Sequence, residues 1–174
     1  MQEFALAVRD DDLDDLRRRL QMTRFPNQLE DAGWDMGTDL HYLRELVNYW
    51  SERFDWRSQE RRFARLDHHT TEIDGQRIHF AVKRSSQPGA FPLLLVHGWP
   101  GSFVEFLDAA ELLGSKQLGQ EPYDLVIPSL PGYAYSGPTT VSGWHPRRIA
   151  IAFIRLMEVS VHVPRTLCRE ESCK

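Results

Sequence analysis

The residues of this 174-residue chain that could do chemistry lie together in His97–Ser102, with the sequence His-Gly-Trp-Pro-Gly-Ser. An apolar run over residues 92–96 leads into this segment, and an apolar helical pattern follows it. Small residues between a strand and a helix let the backbone turn sharply, and the amides of the turn then point into the crevice at the carboxyl end of the strand. Free amides in that place can stabilise a developing negative charge, although a plain connecting turn is the alternative interpretation.

A second segment, Gly33–Gly37, places Asp35 between small residues, as in the strand-to-helix elbow that carries a nucleophile. No strand pattern precedes it, and it lies upstream of His97 instead of downstream. We therefore predict a loop or N-cap role for Asp35. The chain contains no Gly-x-Ser-x-Gly elbow.

The histidines outside the turn indicate no further site. His68 and His69 follow a helical pattern and have no partners at metal-ligand spacing, which predicts a solvated helix end. His145 precedes Pro146 and is predicted to lie in the capping region of a helix, whereas His162 receives no role. We therefore predict no metal site and no cofactor.

The composition excludes several classes of protein. Hydrophobic residues make up 41% of the chain, charged residues make up 26%, and the net charge is −4, which is typical of a globular protein. Charges of both signs are mixed and no apolar run is long, so we predict neither a nucleic-acid partner nor a membrane segment. Cys168 and Cys173 alone form neither a disulfide framework nor a zinc site. Residues 1–4 lack a leader pattern, which predicts a cytoplasmic location, and the oligomeric state stays open.

The first 69 residues show helical periodicity. Acidic residues precede and basic residues follow an apolar series over residues 11–21, which predicts a short helix. A stronger amphipathic helix is predicted to begin after Thr38 or Asp39, and a third helix over Ser58–Leu66. Because none of the three can bury its apolar face alone, residues 1–69 are predicted to be a helical extension that packs on something larger.

From residue 70 onward the period is that of strands. Alternating residues around Asp74-Gly75 predict a hairpin with one buried face. Apolar runs at residues 92–96 and 124–127 predict strands buried on both faces, as in a parallel sheet, with an apolar helix between them.

After residue 127 the chain is predicted to form a loop over residues 128–142 and then a helix opened by Pro146. The apolar face of this helix is predicted to consist of Ile149, Phe153, Leu156 and Met157. The succession of strand, helix, strand and helix indicates an α/β fold with crossover helices over residues 70–158. Residues 159–174 form a divergent tail.

The turn and its surroundings resemble the epoxide hydrolases of the α/β-hydrolase superfamily, in particular the microsomal and juvenile-hormone branch and its bacterial relatives. His97–Ser102 is similar to the longer form of that family's HGxP motif. Further similarities follow the family's order from about residue 4 to Glu158, at Thr23–Pro26, Trp34 with Gly37, Tyr49-Trp50, Phe54–Arg57, Ile73–Gly75, Ile78–Phe80, Pro128–Tyr133 and Gly143-Trp144. The resemblance implies the N-terminal part of an α/β-hydrolase fold, a hairpin plus parallel strands, preceded by the helical extension.

The resemblance also implies hydrolysis of a small-molecule epoxide to a vicinal diol. An aspartate on an elbow attacks the epoxide and forms an ester, and a histidine oriented by a second acid activates the water that hydrolyses it. Tyrosines on a lid donate hydrogen bonds to the epoxide oxygen. The resemblance assigns the Trp99 backbone amide to the oxyanion hole and has His97, Gly98 and Pro100 shape the turn. Tyr133 and Tyr135 lie on the predicted loop over residues 128–142, and this position makes Tyr133 a candidate substrate contact, with half-buried loop packing as the alternative interpretation.

The resemblance stops near Glu158. The family's Gly-Gly-Asp-Trp-Gly nucleophile pattern is absent from the chain, and no residue matches the catalytic histidine, the second acid or the lid. We therefore expect a truncated epoxide hydrolase that is inactive as this chain and whose reading frame breaks near codon 158. Two alternatives stay open: a catalytically dead binding or assembly module of the same family, and another α/β hydrolase such as a haloalkane dehalogenase. The extension before Thr70 disfavours the dehalogenase.

Overall fold

The computed structural model describes residues 1–85, 87–116 and 121–160. These residues divide into two compact units, one formed by Leu6–Arg62 and the other by Met1–Ala5 together with the chain from Phe63 onward. Most of the predicted tail, residues 161–174, lies outside the described residues, and so does His162.

The helical unit contains α1 (Asp10–Gln21), α2 (Leu40–Glu52) and α3, which runs over Trp56–Phe63. All three helices confirm the predicted pattern, with small differences at their ends. Asp39, not Thr38, caps α2, because its carboxylate accepts a hydrogen bond of 2.8 Å from the Tyr42 N–H. Helix α3 begins before the predicted Ser58 because Asp55 accepts from the Ser58 N–H at 3.0 Å and so caps the helix.

The second unit is built on a mixed sheet of five strands. They are β1 (Gln2–Glu3), β2 (Asp67–Ile73), β3 (Gln76–Lys83), β4 (Phe91–Leu94) and β5 (Tyr123–Pro128). Their spatial order is β1-β2-β3-β5-β4. Strands β4 and β5 are parallel, and the other neighbouring pairs are antiparallel. The connection from β4 to β5 contains a 3₁₀ turn (Phe103–Phe106) and α4 (Leu107–Leu113), which confirms the predicted crossover.

A two-residue turn at Asp74-Gly75 joins β2 to β3, with φ angles of 53° and 74°. Two positive φ angles are those of a type I′ turn, whose twist matches that of paired strands, and the predicted hairpin is confirmed. The prediction of one buried face is wrong, since every residue of Ile78–Val82 is 0% exposed. Strand β3 lies in the middle of the sheet, and a helix and a 3₁₀ turn cover its two faces.

Helix α5 (Pro146–Ser160) covers one face of the sheet. Its residues Ala152, Phe153 and Leu156 are buried in one cluster with the side chains of Ile78, Phe80 and Val82. Ile149 and Met157 pack at the margin of that cluster, so the predicted apolar face of α5 is confirmed. On the other face the ring of Phe103, from the 3₁₀ turn, meets the ring of His79 edge-on with centroids 5.3 Å apart.

Strand β4 lies at the edge of the described sheet, and the prediction that residues 92–96 are buried on both faces is wrong. Phe91 is 70% exposed, Val96 is 43% exposed, and the residues between are at most half-buried. A strand is buried on both faces only where neighbours on both sides continue the sheet and its covering helices. In the described sheet β4 has a single neighbour, β5.

Candidate active-site turn

The segment His97–Ser102 begins where strand pairing ends. The Leu95 N–H donates to the Val126 carbonyl at 2.9 Å, and the chain then turns, with the Gly101 N–H donating to the Gly98 carbonyl at 2.8 Å. The peptide bond between Trp99 and Pro100 is cis. The turn therefore sits at the carboxyl end of a parallel strand, the place predicted for it.

A side chain at Gly101 would compete with the Glu105 carboxylate for space. A Cβ atom built on it would lie 1.3 Å from Oε1 of Glu105. That carboxylate accepts from the Ser102 N–H at 3.2 Å, while the Ser102 hydroxyl accepts from the Val104 N–H at 3.4 Å. The two residues form a capping box, which satisfies amides at the start of the 3₁₀ turn.

His97 connects the turn to the loop that follows β5. Its side chain is 3% exposed. The Leu130 N–H donates to Nε2 of His97 at 3.1 Å, so Nε2 is the unprotonated nitrogen. The hydrogen of the neutral ring is then on Nδ1, which donates to the Gly98 carbonyl at 3.1 Å. His97 thus holds the turn through its ring and has no nitrogen left for a reacting group.

In the described part of the chain, Trp99 has an exposed side chain and an unpaired backbone amide. The indole is 83% exposed. Among the described residues no backbone or side-chain acceptor receives a hydrogen bond from the Trp99 N–H. A donor left unpaired at the end of a sheet strand is free to bind an external oxygen atom.

The two tyrosines of the loop after β5 have different surroundings. The half-buried Tyr133 meets the His97 ring edge-on, with centroids 5.4 Å apart. Tyr135 instead packs against the rings of Phe4 and His79, both at 5.3 Å. Tyr133 is therefore beside the turn, whereas Tyr135 belongs to an aromatic cluster behind it.

Asp35 lies in a series of turns, away from any strand. The Asp35 N–H donates to the Ala32 carbonyl at 2.9 Å, and the Gly37 N–H donates to the Trp34 carbonyl at 3.3 Å. The side chain of Asp35 is exposed. These features agree with the predicted loop role, and none of the described residues provides a base or an orienting partner for the carboxylate.

The prediction of a solvated helix end at His68 and His69 is wrong. Both residues lie on β2, and His68 is only 5% exposed. Nδ1 of His68 is 3.0 Å from Nε2 of His79, and Nδ1 of His79 is 2.9 Å from the hydroxyl oxygen of Ser129. Burial lowers the pKa of His68, and burial together with the neighbouring His68 and Arg77 lowers the pKa of His79 to about 3.

The sequence does contain a signal for the buried hydrogen bonds that join His68, His79 and Ser129. A two-residue turn at Asp74-Gly75 sets the register of the hairpin, which pairs His68 with Ala81 and Thr70 with His79. The two histidines then lie on one face as diagonal neighbours, within reach of each other. His145, by contrast, is exposed at the start of α5, as predicted, and its carbonyl accepts from the Ile149 N–H at 3.1 Å.

The described residues contain neither a metal-binding cluster nor a membrane-spanning helix. No group of three or more histidine, cysteine, aspartate or glutamate side chains there is arranged to hold a metal ion. No helix there is long and apolar enough to cross a membrane.

Solved structures with the same arrangement of strands and helices are α/β-hydrolases. Juvenile hormone epoxide hydrolase from the silkworm Bombyx mori aligns with a TM-score of 0.83 and 29% identity over 90% of this chain and 43% of its own. Aspergillus niger epoxide hydrolase aligns with a TM-score of 0.79 and 34% identity over 90% of this chain and 42% of its own. The described fold is the N-terminal part of an α/β-hydrolase.

Residues 1–106 match the family model described as epoxide hydrolase N terminus, and the chain belongs to that family. A relative from Stigmatella aurantiaca (strain DW4/3-1) is 41% identical over 89% of this chain. The chain spans about 36% of the length of that relative.

Proposed function

We propose that this chain contributes the oxyanion-binding turn of an epoxide hydrolase that converts small-molecule epoxides to vicinal diols. The observation that carries the proposal is the Trp99 N–H, which has no acceptor among the described residues and lies where β4 ends. Family membership points to the reaction, and the position of the amide points to its role in it. A cytoplasmic location and the division of the chain at residues 69–70 stay predictions.

The oxyanion forms in the second half of the proposed reaction. A carboxylate first attacks an epoxide carbon, the carbon–oxygen bond breaks, the oxygen takes up a proton, and an ester remains. Water that has lost a proton to a histidine then adds to the ester carbonyl. The Trp99 N–H would donate to the carbonyl oxygen as it gains negative charge. Collapse of this oxyanion breaks the ester bond, and the product leaves as the diol with the proton that the histidine had taken. A donor of this kind is typically worth about 10²–10³ in rate.

The other residues of the turn hold this donor in place. The Gly98 carbonyl accepts from Nδ1 of His97 and from the Gly101 N–H, and these two bonds fix the turn around Trp99. Because the Tyr133 ring rests against His97 beside the turn, we assign Tyr133 as a substrate contact.

We further propose that the 174-residue chain does not hydrolyse epoxides by itself. Its sequence contains no Gly-Gly-Asp-Trp-Gly pattern. Removal of a nucleophile or base from a covalent mechanism typically costs about 10⁴-fold or more in rate. Purified chain should therefore give no turnover of styrene oxide above the buffer rate. Turnover that Asp35→Ala abolishes would instead assign the nucleophile to Asp35.

A complementation assay tests whether this chain contributes to epoxide hydrolysis. The chain is co-expressed with the part of the Stigmatella aurantiaca relative that it does not span, and styrene oxide hydrolysis is measured for the pair and for each part. The pair is expected to be active and each part inactive. If the two parts co-purify without activity while the intact relative is active, the proposed function is wrong.

Two variants of the pair distinguish the role of the Trp99 amide from that of the Trp99 side chain. Trp99→Pro removes the amide hydrogen and should lower kcat about 10²–10³-fold. Trp99→Phe keeps the amide and should change kcat only a few-fold. An equal loss in both variants would show that the indole, not the amide, is what the reaction needs.

A further inference from the structure

The buried chain of His68, His79 and Ser129 has a single arrangement of hydrogens. The Phe63 carbonyl can only accept, so Nε2 of His68, 2.9 Å away, carries the hydrogen. Nδ1 of His68 then accepts from Nε2 of His79, and Nδ1 of His79 accepts from the Ser129 hydroxyl. With both rings neutral, every bond runs in the same direction, from Ser129 to Phe63.

The surroundings keep both rings neutral. Their planes differ by only 10° and their centroids are 5.2 Å apart, as a hydrogen bond in the plane of both rings requires, and the Phe103 ring meets each of them edge-on. The described titratable groups that act on or touch the two rings are Asp67, His69, Arg77 and Tyr135. Loss of water lowers the pKa of His68 and outweighs the Phe63 carbonyl and Asp67, which raise it. Loss of water, His68 and Arg77 all lower the pKa of His79. The chain of bonds therefore keeps its direction at neutral pH.

Ser129 is held at every polar atom. Its N–H donates to the His79 carbonyl at 2.8 Å, and its carbonyl accepts from the Ser136 hydroxyl at 2.7 Å. The Ser136 hydroxyl in turn accepts from the His79 N–H at 3.0 Å. With the side-chain bond to His79, these contacts leave Ser129 no freedom to rotate.

The residue after Ser129 is Leu130, whose N–H holds the ring of His97, and His97 holds the Gly98 carbonyl. A rotation at Ser129 would turn the Leu130 N–H away from His97. We propose that His68, His79 and Ser129 are positioning residues that, through Leu130 and His97, hold the oxyanion turn in shape. The purpose of this positioning rests on the proposed function, but the coupling itself can be tested without turnover.

The test uses nuclear magnetic resonance on the 174-residue chain and two signals near the turn. One is the pair of ¹⁵N shifts of the His97 ring, which reports which nitrogen carries the hydrogen. The other is the exchange rate of the Leu130 amide hydrogen. A purely structural role of the buried histidines would lower overall stability without changing the tautomer of His97 in the folded protein.

Four variants make the test specific. Ser129→Ala removes the donor to His79, and His68→Phe removes the link to Phe63. His68→Gln keeps a donor for the Phe63 carbonyl and an acceptor for His79, so it preserves the direction of the bonds. His69→Phe is the matched control, because His69 is the next residue on β2, points to the opposite face and contacts Phe80 instead.

Ser129→Ala and His68→Phe are expected to give mixed His97 tautomers and roughly tenfold faster exchange at Leu130, the size of one lost buried hydrogen bond. His68→Gln and His69→Phe should resemble the parent chain. Unchanged His97 shifts in folded Ser129→Ala would overturn the proposal. Unfolding of Ser129→Ala, His68→Phe and His68→Gln beside a folded His69→Phe would also overturn it, because that pattern means that these residues contribute only to stability. Positive signals with an inactive complemented pair would reject the hydrolase proposal and keep this one.

Discussion

Strand β4 has the more apolar sequence, yet strand β3 is the more buried of the two. Residues Ile78–Val82 of β3 are 0% exposed, whereas Phe91 at the start of β4 is 70% exposed. The difference lies in the neighbours: β3 is paired on both sides and covered on both faces, while β4 has one neighbour in the described sheet. The burial of an apolar strand is therefore set by its place in the sheet, which its own residues do not encode.

The largest expected effect contrasts one phenylalanine from each strand. Phe80→Ala should destabilise the protein by about 3–5 kcal/mol, because it removes a fully buried ring and leaves a cavity. Phe91→Ala should change stability by no more than about 0.5 kcal/mol, because most of the ring is already in water. Urea denaturation at equal protein concentration measures both. Similar midpoints for the two variants would mean that β4 is covered in solution.

The second prediction concerns the pH dependence of stability that arises from the buried His79 of β3 and its neighbour His68. The folded-state pKa of His79 is about 3 and that of His68 is also lowered, both against an ordinary value of 6.5. The unfolded chain therefore binds protons more readily, so this contribution to stability is complete above about pH 6.5 and is lost as the pH falls toward 3.

A variant isolates this contribution from that of the carboxylates. His79→Phe should be less stable than the parent chain at pH 7 but should lose less stability between pH 7 and pH 4. Urea midpoints at a series of pH values measure the slopes. Parallel slopes for the two proteins would mean that His79 does not gain its proton on unfolding.

A third, smaller effect is expected in the turn after β4. Gly101→Ala places a methyl group where the Glu105 carboxylate lies, and should cost about 0.5–2 kcal/mol by breaking the capping box. In a Glu105→Ala background the obstacle is gone, so the same substitution should cost clearly less. A double-mutant cycle by thermal unfolding gives the coupling. Additive effects would place the Glu105 side chain elsewhere in solution.

The smallest effect on stability is expected at the edge itself. Phe91→Lys should leave the unfolding midpoint within about 0.5 kcal/mol of the parent value, yet it should reduce binding of the dye ANS and self-association, because a charge interrupts the exposed apolar edge. Dye fluorescence and light scattering test this against Leu112→Lys, a similarly exposed apolar residue on α4. Equal reductions in both variants would mean that the edge of β4 contributes no more to dye binding and self-association than the Leu112 side chain does.

Much of the fold followed from the sequence. Helical periodicity located α1, α2 and α5, Asp74-Gly75 located the hairpin, and the apolar runs located β4 and β5. The edge position of β4 could not be predicted, because it depends on which strands flank it. The burial of both faces of β3 was missed for the same reason, since alternation at Ile78–Val82 describes the residues and not what packs on them.

The candidate site was predicted in part. The motif placed His97–Ser102 at a strand end, and the structure puts the turn there with an unpaired Trp99 amide. The pattern of His68-His69 alone predicts the end of a helix, whereas β2 begins at Asp67, so the buried hydrogen bonds of His68 are not predicted. The signal for them is the register of the hairpin, which the two-residue turn at Asp74-Gly75 sets once residues 67–73 are recognised as a strand.

The antiparallel pairing of β2 with β3 limits how this segment can change in length. Inserting or deleting one residue within β3 would reverse which side chains face α5 and which face the aromatic cluster. His79 would then lie against Phe153, and Phe80 would lie where Ser129 needs a hydrogen-bond acceptor. Changes in length among homologous proteins should therefore fall outside β2 and β3, or add residues to the turn itself, where the faces of both strands are preserved.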